Sequence, residues 1–245
     1  MSLNMLSSIL LATFFDSLTG LLGTISLFFN MKKVEKFSKY LVAFAAGAMI
    51  GAAFLHLIPE AFEINIFAGE FLVVGFIFFF FLERIIHMRH CHGGKCMSHL
   101  VSWLVIIGDG FHNILDGLVI ASSFLISPIL GWTTTFAILA HEVPQEMGNF
   151  GILVHHGFSR NKAIIWTFIS QTTCILGGLL GYFLGASLSV VLLPIAAGGF
   201  IYIAAVDLIP ELNLDKKFKD SVGVWVVFIS GILSIEVFKL LFNLH

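Results

Sequence analysis

Long apolar segments separated by short polar connections make up almost the whole chain. A membrane-spanning helix needs about 20 mostly apolar residues. The pattern predicts eight such spans, at residues 5–30, 40–58, 66–87, 99–126, 132–156, 162–187, 190–209 and 221–243. No basic residue precedes the first segment and no small-residue cleavage site follows it, so we interpret it as a span and not as a signal peptide.

The composition supports a membrane protein. Of the 245 residues, 58% are hydrophobic and only 11% are charged, whereas about a quarter of the residues of a soluble domain are charged. These charges are too few to cover a water-facing surface, so the fold class is an all-α polytopic membrane protein. A formal net charge of −2 excludes nucleic-acid binding through clustered basic residues. The three cysteines do not form a disulfide framework.

The basic residues lie almost entirely in alternate connections between the spans. Twelve of the 13 Lys and Arg residues fall after spans one, three, five or seven, and only Lys239 lies elsewhere. Because Lys and Arg are enriched in cytoplasmic loops, these connections are predicted to be cytoplasmic. Both termini are then outside, in agreement with an even number of spans.

Spans two and seven share a sequence pattern. Eight residues of the segment Ala46–Glu60 are identical to those of Ala197–Glu211 at a constant offset of 151, and both segments end in Leu-Ile-Pro-Glu. The two spans run in opposite directions, so we interpret the pattern as an inverted-topology repeat, the architecture of many secondary transporters. The prediction is a 3+2+3 arrangement with spans four and five in the centre. His56 and Asp207 occupy matching positions of the repeat.

Spans four and five contain polar residues that lipid disfavours. They are Asp109, His112, Asn113 and Asp116 in span four, and His141, Glu142, Gln145 and Glu146 in span five. Spacings of three and four place each set on neighbouring rows of one helix. Neither span contains Lys or Arg, and four unpaired carboxylates would cost on the order of 10 kcal/mol. Protons, a bound cation or both must neutralise them, and imidazole beside carboxylate favours Zn²⁺, Fe²⁺ or Mn²⁺.

Three motifs resemble the ZIP (Zrt- and Irt-like) family of divalent-metal transporters. Span four contains His112-Asn113 and Asp116-Gly117, similar to the family's His-Asn-x-x-Asp-Gly signature. Span five contains His141-Glu142-Val143-Pro144-Gln145-Glu146, similar to the His-Glu-x-Pro-His-Glu signature of its LIV-1 branch. His56-Leu57-Ile58-Pro59-Glu60 in span two also resembles that branch.

The resemblance implies eight helices in a 3+2+3 arrangement, external termini, a homodimer and a binuclear metal site between spans four and five. The first metal position would comprise His112, Asp116, His141 and Gln145, and the second Asn113, Asp116, Glu142 and Gln145. Gln145 departs from the LIV-1 pattern, which has a histidine there. In some relatives a glutamate of span six completes the second position, and here either Cys174 or Gln171 would stand in its place.

The whole chain, 1–245, is predicted to form one transmembrane transporter domain. Spans 1–3 cover about 5–87, a His-rich cytoplasmic loop 87–99, the central spans 99–156 and spans 6–8 about 162–243. The loop contains His90, Cys91, His92 and Cys96, a composition typical of metal binding, although a plain solvated connection remains an alternative. Further candidates for the metal pathway are Glu146, His56, Asp109, Cys174, Asp207 and His155. For Cys174, packing is the favoured interpretation.

The predicted function is the transport of divalent cations into the cytoplasm across the cell membrane, with zinc as the main cargo. Iron, manganese, cadmium and cobalt are alternative cargoes, and no cofactor is expected. The alternative is an intramembrane zinc-dependent hydrolase or protease, because His141-Glu142 could open a His-Glu-x-x-His motif. Gln145 occupies the place of its second histidine, and Pro144 interrupts the regular helix which that motif requires.

Overall fold

The computed structural model describes residues 3–19, 21, 31–88, 98–155, 157–212 and 218–241. Within these ranges the chain forms helices joined by short connections, and no strand occurs. The α-helices are α1 (Leu3–Thr19), α2 (Met31–Ala52), α3 (Ile58–Ile64), α4 (Ala68–Met88), α5 (Ser98–Ile126), α6 (Pro128–His155), α7 (Arg160–Gln171), α8 (Thr173–Leu184), α9 (Ala186–Tyr202), α10 (Ile209–Glu211) and α11 (Phe218–Leu241). Two π-helices, Ala53–Leu57 and Ile203–Leu208, connect α2 to α3 and α9 to α10.

The all-helical prediction is confirmed for the described residues. By length and composition, four of their helical segments could cross a membrane: Lys39–Ile64, Val105–Ile126, Arg160–Leu184 and Ser187–Val206. The shorter apolar helices Ala68–Phe81 and Ser221–Val237 accompany them. The predicted sixth span is interrupted at Thr172, which separates α7 from α8.

The two π-helices lie at positions that the sequence repeat makes equivalent. An offset of 151 carries Ala53–Leu57 onto 204–208, within the second π-helix. Each π-helix is followed by a proline, Pro59 or Pro210, at the start of the next α-helix. Proline has no N–H to donate to the preceding turn, so both segments depart from α-helical hydrogen bonding at the same place.

Two repeat-related glycines allow close helix crossings. A Cβ at Gly47 would overlap the backbone carbonyl of Phe228, so α2 lies directly against α11. A Cβ at Gly198 would overlap the carbonyl of Leu72, so α9 lies against α4 in the same way. Small residues permit such contacts between apolar helices, where packing and not hydrophobicity drives association.

The polar residues of the central helices are enclosed by their neighbours. Helix α5 packs on α6 and α8, while α1 packs on α8 and α6. Helix α2 covers another face of α6, and α9 contacts α5. The side chains that α5 and α6 turn toward each other are therefore shielded on every side by helices.

Candidate metal centre

Two packed helices supply the polar residues of the centre. One turn of α5 contributes His112 and Asp116 at a spacing of four, and α6 contributes the consecutive residues His141 and Glu142. Asp116, His141 and Glu142 are buried, and the His112 side chain is 13% exposed. The α-helical period aligns each pair, and the contact between α5 and α6 brings the two pairs together.

Their donor atoms are spaced as a tetrahedral zinc site requires. His112 Nε2 lies 3.3 Å from His141 Nε2, 3.5 Å from Asp116 Oδ2 and 3.5 Å from Glu142 Oε1. His141 Nε2 lies 3.7 Å from Asp116 Oδ2 and 3.4 Å from Glu142 Oε1. Ligands about 2.0–2.1 Å from zinc in a tetrahedron are about 3.3 Å apart. We call these four residues the first group.

A backbone carbonyl on the far side of the ring orients the imidazole of His141. Its Nδ1 lies 3.3 Å from the carbonyl oxygen of Ala137, one turn earlier on α6. An Nδ1–H that donates to this carbonyl leaves Nε2 with its lone pair toward the other donors. A backbone carbonyl behind the ring is a common way to hold a metal-binding histidine in its tautomer.

Two carboxylate oxygens of the first group have no hydrogen-bond donor among the described residues. They are Asp116 Oδ2 and Glu142 Oε1, and both are buried. Neither α5 nor α6 contains Lys or Arg. Buried polar atoms are nearly always satisfied in proteins, so these oxygens indicate a place for a cation.

A second group of carboxylates adjoins the first. Asp109, Glu142 and Glu146 are buried and could offer oxygen atoms within 4.8 Å of one another. Asn149 Nδ2 donates to Asp109 Oδ1 and to Glu146 Oε1, both at 2.9 Å. Oε2 of Glu146 has no donor among the described residues. Because Glu142 belongs to both groups, one carboxylate could bridge two cations or pass one between them.

Asp109 is held by donors from three helices. Ser170 Oγ of α7 donates to its Oδ2 at 2.5 Å, and Gln145 Nε2 of α6 lies 3.4 Å from its Oδ1. Its backbone carbonyl accepts from Asn113 Nδ2 at 3.0 Å. Asn113 and Gln145, predicted as metal ligands, thus each direct their amide nitrogen toward Asp109. The buried Oδ1 of Asn113 has no donor among the described residues.

Gln171, at the break between α7 and α8, reaches the shared carboxylate. Its Nε2 donates to Glu142 Oε2 at 2.6 Å, while its Oε1 accepts from Thr19 Oγ1 of α1 at 3.2 Å. The sequence offered Cys174 and Gln171 as alternatives beside the second metal position. In the structure it is Gln171 that contacts Glu142.

The other sequence-predicted residues lie in different places. His56, in the first π-helix, has its Nε2 3.4 Å from Glu236 Oε1 of α11. Asp207 belongs to the second π-helix and His155 ends α6. The loop candidates His90, Cys91, His92 and Cys96 lie outside the described residues. Sequence analysis missed Asn149 and Ser170. Asn149 follows Gln145 by one helical turn, and this spacing could have identified it as part of the site. Nothing in the sequence around Ser170 indicates such a role.

Comparison with known proteins identifies a family. The sequence model described as "ZIP Zinc transporter" matches residues 3–100 and 90–239. The chain is 31% identical over 226 residues to "Zinc transporter ZIP13" of Pongo abelii, which covers 82% of this chain and 67% of that protein. It is 29% identical to "Zinc transporter zipt-7.1" of Caenorhabditis briggsae, over 72% of this chain and 62% of that protein. It is 28% identical to "Metal cation symporter ZIP14" of Xenopus tropicalis, over 79% of this chain and 59% of that protein. The chain thus spans about three fifths to two thirds of these three relatives.

Proposed function

Because the chain belongs to the ZIP zinc transporter family, we propose that it carries divalent metal cations, zinc foremost, across a membrane into the cytoplasm. The observation that carries this proposal is the first group: two imidazoles and two carboxylates among packed helices, with the imidazole Nε2 atoms 3.3–3.7 Å from each other and from the carboxylate oxygens. This ligand set suits Zn²⁺ and, less well, Fe²⁺, Mn²⁺, Co²⁺ or Cd²⁺. The metal is cargo, and no cofactor is required.

The ligands suit transient binding. A transported ion must lose its water shell on binding and must also be released. Imidazole and carboxylate groups replace the water, while the absence of thiolates from the first group avoids very tight binding of zinc. Glu142 is common to both groups, so an ion can leave the first group for the second without losing all its protein ligands. We therefore propose a binuclear centre in which Glu142 is the bridge, whereas the resemblance implied Asp116, which belongs to the first group alone.

We propose eight spans in a 3+2+3 arrangement with inverted repeats, forming one domain over 1–245. The equivalent π-helices and the equivalent contacts of Gly47 and Gly198 support the repeat. The basic connections support cytoplasmic odd-numbered loops and external termini in a cell membrane. The homodimer rests on the family resemblance alone.

An apolar cluster supports alternating access. Ile106, Phe150, Leu153, Phe158 and Ala163 form a buried cluster next to the second group, one turn along α5 from Asp109 and along α6 from Glu146. In the proposed topology this cluster lies between the centre and the cytoplasm and closes that side. Release then requires the unit of α5 and α6, which holds the centre, to tilt or slide against the two repeats.

The hydrolase alternative lacks support in the site. The family is one of transporters and not of enzymes. Gln145 stands where a His-Glu-x-x-His motif has its second histidine, and its amide nitrogen is directed at Asp109. Glu142 Oε2 accepts a hydrogen bond from Gln171, and its Oε1 lies among the donors of the first group, so the carboxylate is placed to hold a cation and not to activate water.

Zinc uptake into proteoliposomes tests the proposal. The purified chain is reconstituted with a zinc indicator inside, and uptake is compared with that of Asp116→Ala and of Phe111→Leu. Phe111 is 60% exposed beside His112, so its substitution controls for expression and insertion. We expect uptake by the parent and by Phe111→Leu, and little by Asp116→Ala. No uptake by the parent, together with cleavage of a membrane peptide, would favour the hydrolase.

A further inference from the structure

A carboxylate in α1 takes no part in the centre described above. Asp16 is fully buried, and neither of its side-chain oxygens has a hydrogen-bond donor among the described residues. Helix α1 contains no Lys, Arg or His. An acid in this position is among the most costly groups in an apolar environment, and such residues are usually functional.

Cys174 is the neighbour of this carboxylate on α8. Its side chain is fully buried. The two helices are held closely here: a Cβ at Gly178 would crowd Thr13, and Ser17 Oγ donates to the carbonyl of Gln171 at 3.1 Å. Asp16 lies between Thr13 and Ser17 on α1, and Cys174 lies between Gln171 and Gly178 on α8, so these two contacts place the carboxylate and the thiol at the same level of a tight helix contact.

This pair adjoins the metal centre. Gly117, which follows Asp116 on α5, lies directly against α8, because a Cβ there would overlap the backbone carbonyl of Cys174. The side-chain amide of Gln171 links Thr19 of α1 to Glu142. The pair and the first group are therefore held by helices that pack directly on one another, α1, α5, α6 and α8. Helices α1 and α8 contain no Lys, Arg or His, and α5 and α6 contain no Lys or Arg that would compete with a cation there.

We propose that Asp16 and Cys174 form a third cation subsite that takes soft or borderline divalent ions such as Cd²⁺ and Zn²⁺. The subsite rests on the proposed function for the route by which ions reach it. Two carboxylate oxygens and one sulfur supply up to three donors, a set that favours Zn²⁺ and Cd²⁺ over Mn²⁺. On binding, the sulfur forms a bond to the metal, its S–H bond breaks, and one proton is released to water.

The test uses cadmium and the absorption of the cadmium–thiolate bond. In the full chain with Cys91→Ser and Cys96→Ser, Cys174 is the remaining cysteine. This parent is purified in detergent and titrated with Cd²⁺ while its ultraviolet charge-transfer absorption and proton release are recorded. We expect a saturable band that Cys174→Ser abolishes. Asp16→Asn should weaken the affinity about tenfold, the scale seen when metal surroundings are altered.

Two controls separate the subsite from other effects. Leu11→Ala changes a half-exposed residue of the same helix and should leave the band unchanged. His112→Ala removes a ligand of the first group and should also retain the band. If Asp16→Asn does not fold, X-ray absorption spectra of the zinc-loaded parent and of zinc-loaded Cys174→Ser test the subsite. The subsite requires zinc–sulfur scattering in the parent and none in Cys174→Ser.

The outcomes for the subsite and for transport are distinct. A parent that takes up zinc but shows neither the cadmium band nor zinc–sulfur scattering overturns the subsite and leaves the transport proposal standing. An unchanged cadmium affinity in folded Asp16→Asn overturns the role of Asp16. A clear band with no uptake supports the subsite and contradicts the proposed transport function.

Discussion

The side-chain amide of Gln171 donates to Oε2 of Glu142 at 2.6 Å. Gln171 is the last residue of α7, at its break with α8. The bond therefore connects this break to Glu142, the carboxylate that the first and second groups share. Because Gln171 also accepts from Thr19, one buried amide connects three helices around the proposed transport centre. Its substitution should therefore affect both folding and metal binding.

Gln171→Leu should lower the free energy of unfolding by about 1–3 kcal/mol, because it leaves the buried Oε2 of Glu142 without its donor. Thermal denaturation in detergent without metal measures the change. The control is Leu176→Ala, at a position 55% exposed on α8, which should have a smaller effect. Equal stability of Gln171→Leu and the parent would show that the amide does not stabilise the bundle.

His112→Ala and Asp116→Ala should each reduce zinc uptake below about a tenth of the parent's while the protein remains folded. Each removes one donor of the first group, and a loss of this size is typical of altered metal surroundings. Uptake per inserted protein is measured in proteoliposomes, with Phe111→Leu as the control. Near-normal uptake by well-folded Asp116→Ala would refute the assignment of the first group.

Glu142→Gln and Glu146→Gln should differ in how much zinc they lose. Glu142 contributes to both groups, whereas Glu146 contributes only to the second, so Glu142→Gln should lose zinc from both and Glu146→Gln from one. Elemental analysis after equilibrium dialysis measures bound zinc. The shared-ligand arrangement is wrong if the two variants retain the same amount.

Deletion of residues 90–96 should change the apparent affinity or the regulation of uptake but leave substantial transport. The segment lies in a connection between predicted spans, outside the helices α5 and α6 that supply both groups. Uptake is measured over a range of zinc concentrations for the parent and the deletion. Complete loss of uptake by a folded deletion variant would place the loop in the permeation path.

Gln145→His should raise the preference for zinc over manganese about tenfold, because imidazole is a stronger ligand than a neutral amide for the later metal. Turnover should fall, since a tighter site releases its metal more slowly. Competition between zinc and manganese uptake in matched proteoliposomes measures the preference. Unchanged selectivity would indicate that the side chain at position 145 does not face the metal. It would instead contact Asp109, toward which the amide of Gln145 is directed.

The sequence by itself determined the helical class and the two polar helices. Apolar segments of about 20 residues and a low charge content leave few alternatives to membrane helices. A helix repeats every 3.6 residues, so the spacing of His112 and Asp116 was enough to place them on one face. The offset of 151 between Ala46–Glu60 and Ala197–Glu211 likewise indicated equivalent segments, and both contain a π-helix.

Only the tertiary structure decided which side chains meet across helices. Gln171 and Cys174 are one turn apart, yet the side chain of Gln171 contacts Glu142, whereas the backbone carbonyl of Cys174 lies against Gly117. The break at Thr172 and the close packing of α1 on α8 determine that choice, and neither has a local signal. Spacing specifies which residues share a helix face, whereas contacts between faces depend on helix rotation and crossing, which the packing of the whole bundle sets.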